Sequence, residues 1–172
     1  MSLRVFDTMR REKVDFVPLK PGKIGMYVCG VTTYDLCHVG HARVYVVFDV
    51  VLRWLKRDHH VTYVRNFTDV DDKIIKRANE ANEDALQLAS RFADEFHRDM
   101  DALGVLRADV EPRVSTHMPE IIAFVADLIE KGYAYRVPSS STVAGAGDDV
   151  YFRVSKFGDR YVQSEKKSMA EL

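Results

Sequence analysis

Cysteine is scarce in this sequence: Cys29 and Cys37 are the two present among 172 residues. Two cysteines cannot make a disulfide framework, which excludes a small stapled secreted fold, and in a reducing cytoplasm each is a packed thiol or a ligand. Long apolar runs are missing too. None approaches the roughly 18 residues that a helical membrane span needs, which excludes an integral membrane protein of that kind. The N-terminus Met1-Ser2-Leu3-Arg4-Val5-Phe6-Asp7 lacks the apolar stretch of a secretory signal, so nothing in it argues for export. Neither sign of charge dominates, with 25 Lys and Arg against 26 Asp and Glu. What is present is the mixture of a globular chain, 47% apolar and 30% charged. At this length a folded chain buries about two thirds of its extended surface, enough for a core in one domain or one and a half.

The charge is unevenly spread. Residues 1–65 carry 11 Lys and Arg against 6 Asp and Glu, whereas residues 66–172 carry 14 against 20. The basic end suits an anionic ligand, and solvated faces produce the same asymmetry.

Ile24 to Gly30, flanked by Pro21-Gly22, reads as a buried strand, and Val31 to Leu36 as a loop. From about His41 to Arg57, Val44, Val47, Phe48, Val51 and Leu55 recur at helical spacing and predict one buried face, widened by Val46, Val50 and Trp54. Val61 to Phe67 reads as a second strand. Strand, helix and strand in this order predict a βαβ unit with a parallel pair. Beyond Asp71 two helices follow, the second with the stripe Ala85, Ala89, Phe92, Phe96, Met100 and Leu103 and a stop at Gly104. Another starts near Pro119, carries Ile121, Ile122, Val125, Leu128 and Ile129 on one side and stops at Gly132. Tyr133 to Val137 and Val150 to Val154 read as a hairpin, its small, uncharged connection at about 139–148 as a mobile tip.

The segment Cys29-Gly30-Val31-Thr32-Thr33-Tyr34-Asp35-Leu36-Cys37-His38-Val39-Gly40-His41 joins the first strand to its helix. A helix N-terminus offers unpaired N–H groups and a partial positive charge, which favours phosphate oxygens. His38 and His41, three apart, can both face such an anion and donate to charge developing on an α-phosphate. Gly40 between them would let a base or phosphate approach the backbone. Satisfied polar histidines at a helix end are the alternative. Asp69, Asp71 and Asp72 could suggest a magnesium site; in preference, Asp71 or Asp72 caps the helix beginning at Lys73.

His38-Val39-Gly40-His41 resembles the HIGH-type signature of class I aminoacyl-tRNA synthetases. Met26 to Thr32, Tyr34 to His38, and Tyr63 to Ala78 resemble the N-terminal part of the cysteinyl-tRNA synthetase family, with similarity from about Phe6 through Val154. The resemblance implies a cytoplasmic enzyme that uses ATP with Mg2+ to activate L-cysteine as cysteinyl adenylate and then charges tRNA-Cys. It implies His38, Gly40 and His41 for ATP, Gly30, Thr32 and Thr68 for cysteine, and Cys29 as a zinc ligand. Zinc favours thiolate over hydroxyl, so a metal can reject serine where size cannot. Cys37 reads as a packed thiol. A zinc site of Cys29, Cys37, His38 and His41 within the chain is a further alternative.

The family's other three zinc ligands and its KMSKS-type lysine loop do not occur here. Ser164-Glu165-Lys166-Lys167-Ser168-Met169 shares the letters of that loop but neither its order nor its place. The expectation is therefore an α/β chain, the first half of a class I synthetase Rossmann-like nucleotide-binding fold over 1–114, with a helix and hairpin from a connective insertion over 115–172. Such a chain is expected to be inactive alone, to hold no stoichiometric zinc, and to self-associate through the apolar edge that Val28 and Val64 would otherwise bury. Two other functions stay open. One is the mycothiol-pathway cysteine ligase, although Leu36-Cys37 and the run from Asp71 to Lys76 look closer to the tRNA synthetase. The other is a non-catalytic nucleotide- or partner-binding fragment.

Overall fold

The computed structural model describes residues 3–139 and 147–158. The chain divides into two compact units, Pro18–Met118 and Met1–Val17 with Pro119–Leu172. The second of these starts with a feature the sequence reading did not anticipate, an antiparallel hairpin of β1 (Arg4–Asp7) and β2 (Glu12–Asp15). Its turn is built by Asp7, whose Oδ1 accepts from the amides of Met9 and Arg10, and by Arg11 at φ 58°. Four-residue strands rich in charge carry too little apolar alternation to be noticed.

In the Pro18–Met118 unit, β3 (Lys23–Val28), α1 (Val39–Leu55) and β4 (His60–Arg65) form the expected βαβ crossover. The strands pair in parallel from Lys23 opposite His60 to Val28 opposite Arg65. Ladder pairing stops at Val28, two residues short of the expected Gly30, because the next peptide finds side-chain partners instead. The sheet continues beyond β4 through 110–113, where the Arg65 and Phe67 amides donate to the Val110 and Pro112 carbonyls.

Helix α1 begins at Val39 rather than His41, since His38 caps it. Its buried face also differs from the expected one. Tyr45, Leu52 and Leu55 are buried, while Val44, Val47 and Phe48 are 44%, 54% and 40% exposed. Helix α2 (Asp72–Ala81) is capped by Asp71, and α3 (Ala85–Ala102) by Asp84, whose carboxylate accepts from the Leu86 and Gln87 amides. The α3 stripe packs as read: Ala89, Phe92, Phe96 and Met100 are buried, and only its last member, Leu103, is exposed. Ile74 and Ala78 of α2 close one cluster with Leu88, Ala89 and Phe92. Phe96 stands edge-on to Tyr45 of α1 and to Phe67, knitting helices and sheet together.

The other unit adds α4 (Met118–Glu130), β5 (Ala134–Val137), β6 (Asp149–Phe152) and α5 (Val154–Phe157). The hairpin pairs antiparallel, Ala134 opposite Phe152, and Val154 starts a helical turn instead of extending the strand. The predicted α4 stripe is not buried: Ile121 and Ile122 are exposed, and Val125, Leu128 and Ile129 are half-buried. Residues 140–146 and 159–172, which include most of the expected mobile tip and the lysine-containing tail, lie outside the described residues. Among the described residues no helix is long and apolar enough to cross a membrane.

Candidate active site

The turn from β3 into α1 opens a pocket of about 480 Å3 within the Pro18–Met118 unit. Five of the seven residues singled out from sequence line it, namely Cys29, Gly30, Thr32, His38 and His41. Tyr34, Tyr45 and Lys73 complete much of the wall. Gly40 and Thr68 are not among the lining residues. Gly40 sits in the first turn of α1, and Thr68 pairs with Thr32 in a parallel bridge.

The two histidines cap α1 reciprocally. His38 Nδ1 accepts from the Gly40 amide at 3.0 Å, and His41 Nδ1 accepts from the His38 amide at 3.2 Å, with ring centroids 4.0 Å apart. A ring nitrogen that accepts carries no hydrogen, so each neutral imidazole keeps its hydrogen on Nε2. Burial, and secondarily the charge of His38, hold the His41 pKa below the usual imidazole value. The cap changes the expected source of anion donors. The amide of Gly40 is taken by His38 Nδ1 and that of His41 by the His38 carbonyl, while the Nε2–H of each neutral imidazole is not used by the cap. It also gives Gly40 a steric reason independent of any ligand: a Cβ there would lie 2.7 Å from His38 Cε1.

Across the pocket, the Cys29–Gly30 peptide is held at both ends. The Cys29 carbonyl accepts from Tyr45 Oη at 3.2 Å, and the Gly30 amide donates to Asn66 Oδ1 at 2.8 Å. Glycine is required at 30 because a Cβ would fall 1.5 Å from the Asn66 carbonyl oxygen. Tyr45 rests on the buried Arg65 guanidinium, 5.3 Å from its ring. Arg65 pairs with Glu111 at 2.6 Å, and Glu111 bonds His97 at 2.8 Å. Neither Asn66 nor Tyr45 was singled out from sequence. An asparagine at a strand end, where its type is depleted, was the available signal.

Cys29 brings an exposed thiol to the pocket. Cys37 is not among the residues that line the pocket, and burial first, then the charge and hydrogen bond of Asp99, push its thiol up to about 11. Among the described residues no three His, Cys, Asp or Glu side chains gather as a metal site. One thiol does not make a zinc site, so these residues do not by themselves fit the zinc implied for Cys29, and the four-ligand alternative does not form. The aspartates also separate: Asp71 caps α2, Asp72 opens it, and buried Asp69 accepts from the Ser115 amide and hydroxyl.

Known proteins resemble this chain in sequence and in fold. Residues 15–172 match the family described as tRNA synthetases class I (C) catalytic domain. A cysteine–tRNA ligase of Anaeromyxobacter sp. (strain K) is 56% identical over 173 residues, covering 100% of this chain and 34% of the relative. One from Idiomarina loihiensis is 52% identical, covering 100% of this chain and 36% of the relative. The chain thus spans about a third of the length of these curated relatives. In three dimensions it is similar to Mycobacterium tuberculosis methionyl-tRNA synthetase in complex with methionyl-adenylate, with a TM-score of 0.63 and 19% identity over 80% of this chain and 34% of that one. That likeness shows the fold, a class I synthetase Rossmann-like α/β arrangement. The match along nearly its whole length shows that the chain belongs to the class I (C) tRNA synthetase catalytic-domain family.

Proposed function

We propose that this chain provides the ATP- and cysteine-binding wall of a cysteine–tRNA ligase. The supporting observation is the reciprocal histidine cap, which fixes the tautomer of two imidazoles lining one pocket. In this reading His38 and His41 donate Nε2–H to phosphate oxygens of ATP, and Gly40 allows the cap to form. Gly30, Thr32 and Thr68 form the side that meets cysteine. The carboxylate of cysteine attacks the α-phosphorus, the bond to the β-phosphate oxygen breaks, and pyrophosphate leaves. Donors already oriented by the helix cap stabilise the negative charge that builds up on the way, at no reorganisation cost. Transfer of the cysteinyl group to tRNA-Cys, and cytoplasmic location, follow as parts of the same proposal. Cys29 needs donors beyond the described residues to hold zinc, and no step is assigned to the metal.

ATP titration followed by NMR tests the site on the chain itself. Shifts should concentrate between Cys29 and Tyr45 and weaken in His41→Ala. Shifts confined to residues 118–139 would overturn the assignment. In cysteine-dependent ATP–pyrophosphate exchange, loss of one such donor should cost a factor of about 100 to 1,000.

A further inference from the structure

We propose that Asn66 is a positioning residue for cysteine binding, joining the Cys29–Gly30 peptide, which lines the pocket, to the Thr68 hydroxyl, which lies outside that lining; this rests on the reading that Gly30 and Thr68 meet cysteine. Asn66 follows β4, and its carboxamide engages partners through both of its ends. Oδ1 accepts from Tyr27 Oη at 2.7 Å and from the Gly30 amide at 2.8 Å, while Nδ2 donates to Thr68 Oγ1 at 3.3 Å. The backbone N–H of Gly30 decides which end of the amide is oxygen, since a donor cannot face the NH2 group. The carboxamide therefore has one orientation.

The Thr68 backbone does not depend on Asn66. Its amide donates to the Val31 carbonyl at 3.0 Å, and its carbonyl accepts from the Thr33 amide at 3.2 Å. Asn66 sets the polarity of the hydroxyl instead. An Oγ1 that accepts from Nδ2 keeps its own hydrogen for another acceptor, whereas beside a carboxylate that hydrogen would be consumed. Chemistry thus distinguishes an amide from a carboxylate at this position. The substitution Asn66→Asp would keep the Oδ1 bonds to Tyr27 and Gly30 and reverse only the Thr68 contact. Because Tyr45 grips the carbonyl of the same 29–30 peptide, the Asn66 bond fixes the plane of that peptide from its other edge.

The test is cysteine-dependent ATP–pyrophosphate exchange by the protein that carries this chain, with cysteine and ATP varied separately. Asn66→Asp should raise KM for cysteine about ten-fold, the worth of one hydrogen bond, and leave KM for ATP within about two-fold. Thr68→Val should do the same, and the double variant should be no worse than Thr68→Val, because both act through one hydroxyl. Amide exchange on the chain supplies a second measurement: Gly30 should stay protected in Asn66→Asp and lose protection in Asn66→Ala. The proposal is overturned if Thr68→Val raises KM for cysteine and Asn66→Asp does not. Equal changes in both KM values, additive losses in the double variant, or an unprotected Gly30 amide in the unaltered chain overturn it as well. Absence of exchange in the unaltered protein, or no effect of Thr68→Val, would instead remove the cysteine-site reading on which it rests.

Discussion

Helices α1 and α3 are nearly equal in length, 17 and 18 residues, yet relate to their sequences in opposite ways. In α3 the apolar residues Leu88, Ala89, Phe92, Phe96 and Met100 form one stripe and charged residues such as Arg91, Asp94, Glu95 and Arg98 occupy the rest, so periodicity names the buried face unambiguously. In α1, apolar residues run almost all round. The helix buries Tyr45, Leu52 and Leu55 and leaves Val44, Val47, Phe48, Val50 and Trp54 exposed. Where two apolar faces compete, helical spacing cannot rank them. The partners decide: Tyr45 is taken by Phe96, Arg65 and the Cys29 carbonyl.

The sharpest test of this contrast is a pair of truncations. Phe96 is fully buried between Tyr45 and Phe67, so Phe96→Ala should cost about 3 to 5 kcal/mol in urea unfolding. Phe48→Ala, on the exposed face of α1, should cost about 0.5 kcal/mol or less. Equal losses would mean that the two helices are buried alike and that the difference drawn between them is false.

Legibility followed the same physics elsewhere. The βαβ unit was readable because β-branched strands flank a long helical repeat, and the start of α2 because aspartates precede it, although only the structure chooses Asp71 over Asp72 as its cap. The short charged hairpin β1–β2 left no such pattern. Within the site, His38, His41, Cys29, Gly30 and Thr32 could be listed from their spacing and family resemblance, and they line one pocket. The alternative of satisfied polar histidines at a helix end is what the start of α1 shows, and spacing could not reveal the reciprocal pattern of the two bonds, since a cap is a matter of rotamer. Asn66 and Tyr45 escaped for a related reason. Each acts on the 29–30 peptide from a distant position, 36 and 16 residues away along the chain, and only the folded backbone brings them to it.

The exposed face of α1 supports a second, intermediate prediction. Val28 is buried and Val64 half-buried beside Val110, and the exposed apolar residues of α1 offer a second surface on which the expected self-association can be tested. Val47→Lys should lower the sedimentation coefficient at high concentration and change unfolding free energy by about 0.5 kcal/mol or less. The matching change in α3, Ala93→Lys, places a charge at a fully buried site and should abolish cooperative folding. Unchanged association in Val47→Lys would show that this apolar face is not the one that meets a second copy.

The smallest expected effect concerns the first turns of the same two helices, which are capped by different chemistry. The α3 cap is the Asp84 side chain, whereas α1 depends on imidazole nitrogens that accept only while unprotonated. The His41 pKa in the folded chain lies below its usual value near 6.5, so between that value and the folded one the unfolded chain binds the proton more readily. This contribution is therefore fully present above about pH 6.5 and is lost as pH falls toward the folded pKa. A proton on His41 Nδ1 removes the acceptor for the His38 amide. After correction for intrinsic exchange rates, the protection of the His38 amide should fall as the pH drops below about 6.5 toward the folded pKa of His41, with the Leu86 and Gln87 amides of α3 as the internal reference. His41→Gln should keep the His38 amide protected in acid, because a glutamine Oε1 at the third position of the helix takes the place of Nδ1 as its acceptor and does not titrate there. Protection of the His38 amide that rises on acidification, or that stays constant while the His41 ring itself is seen by NMR to take up its proton, would show that this imidazole is not what holds the start of α1.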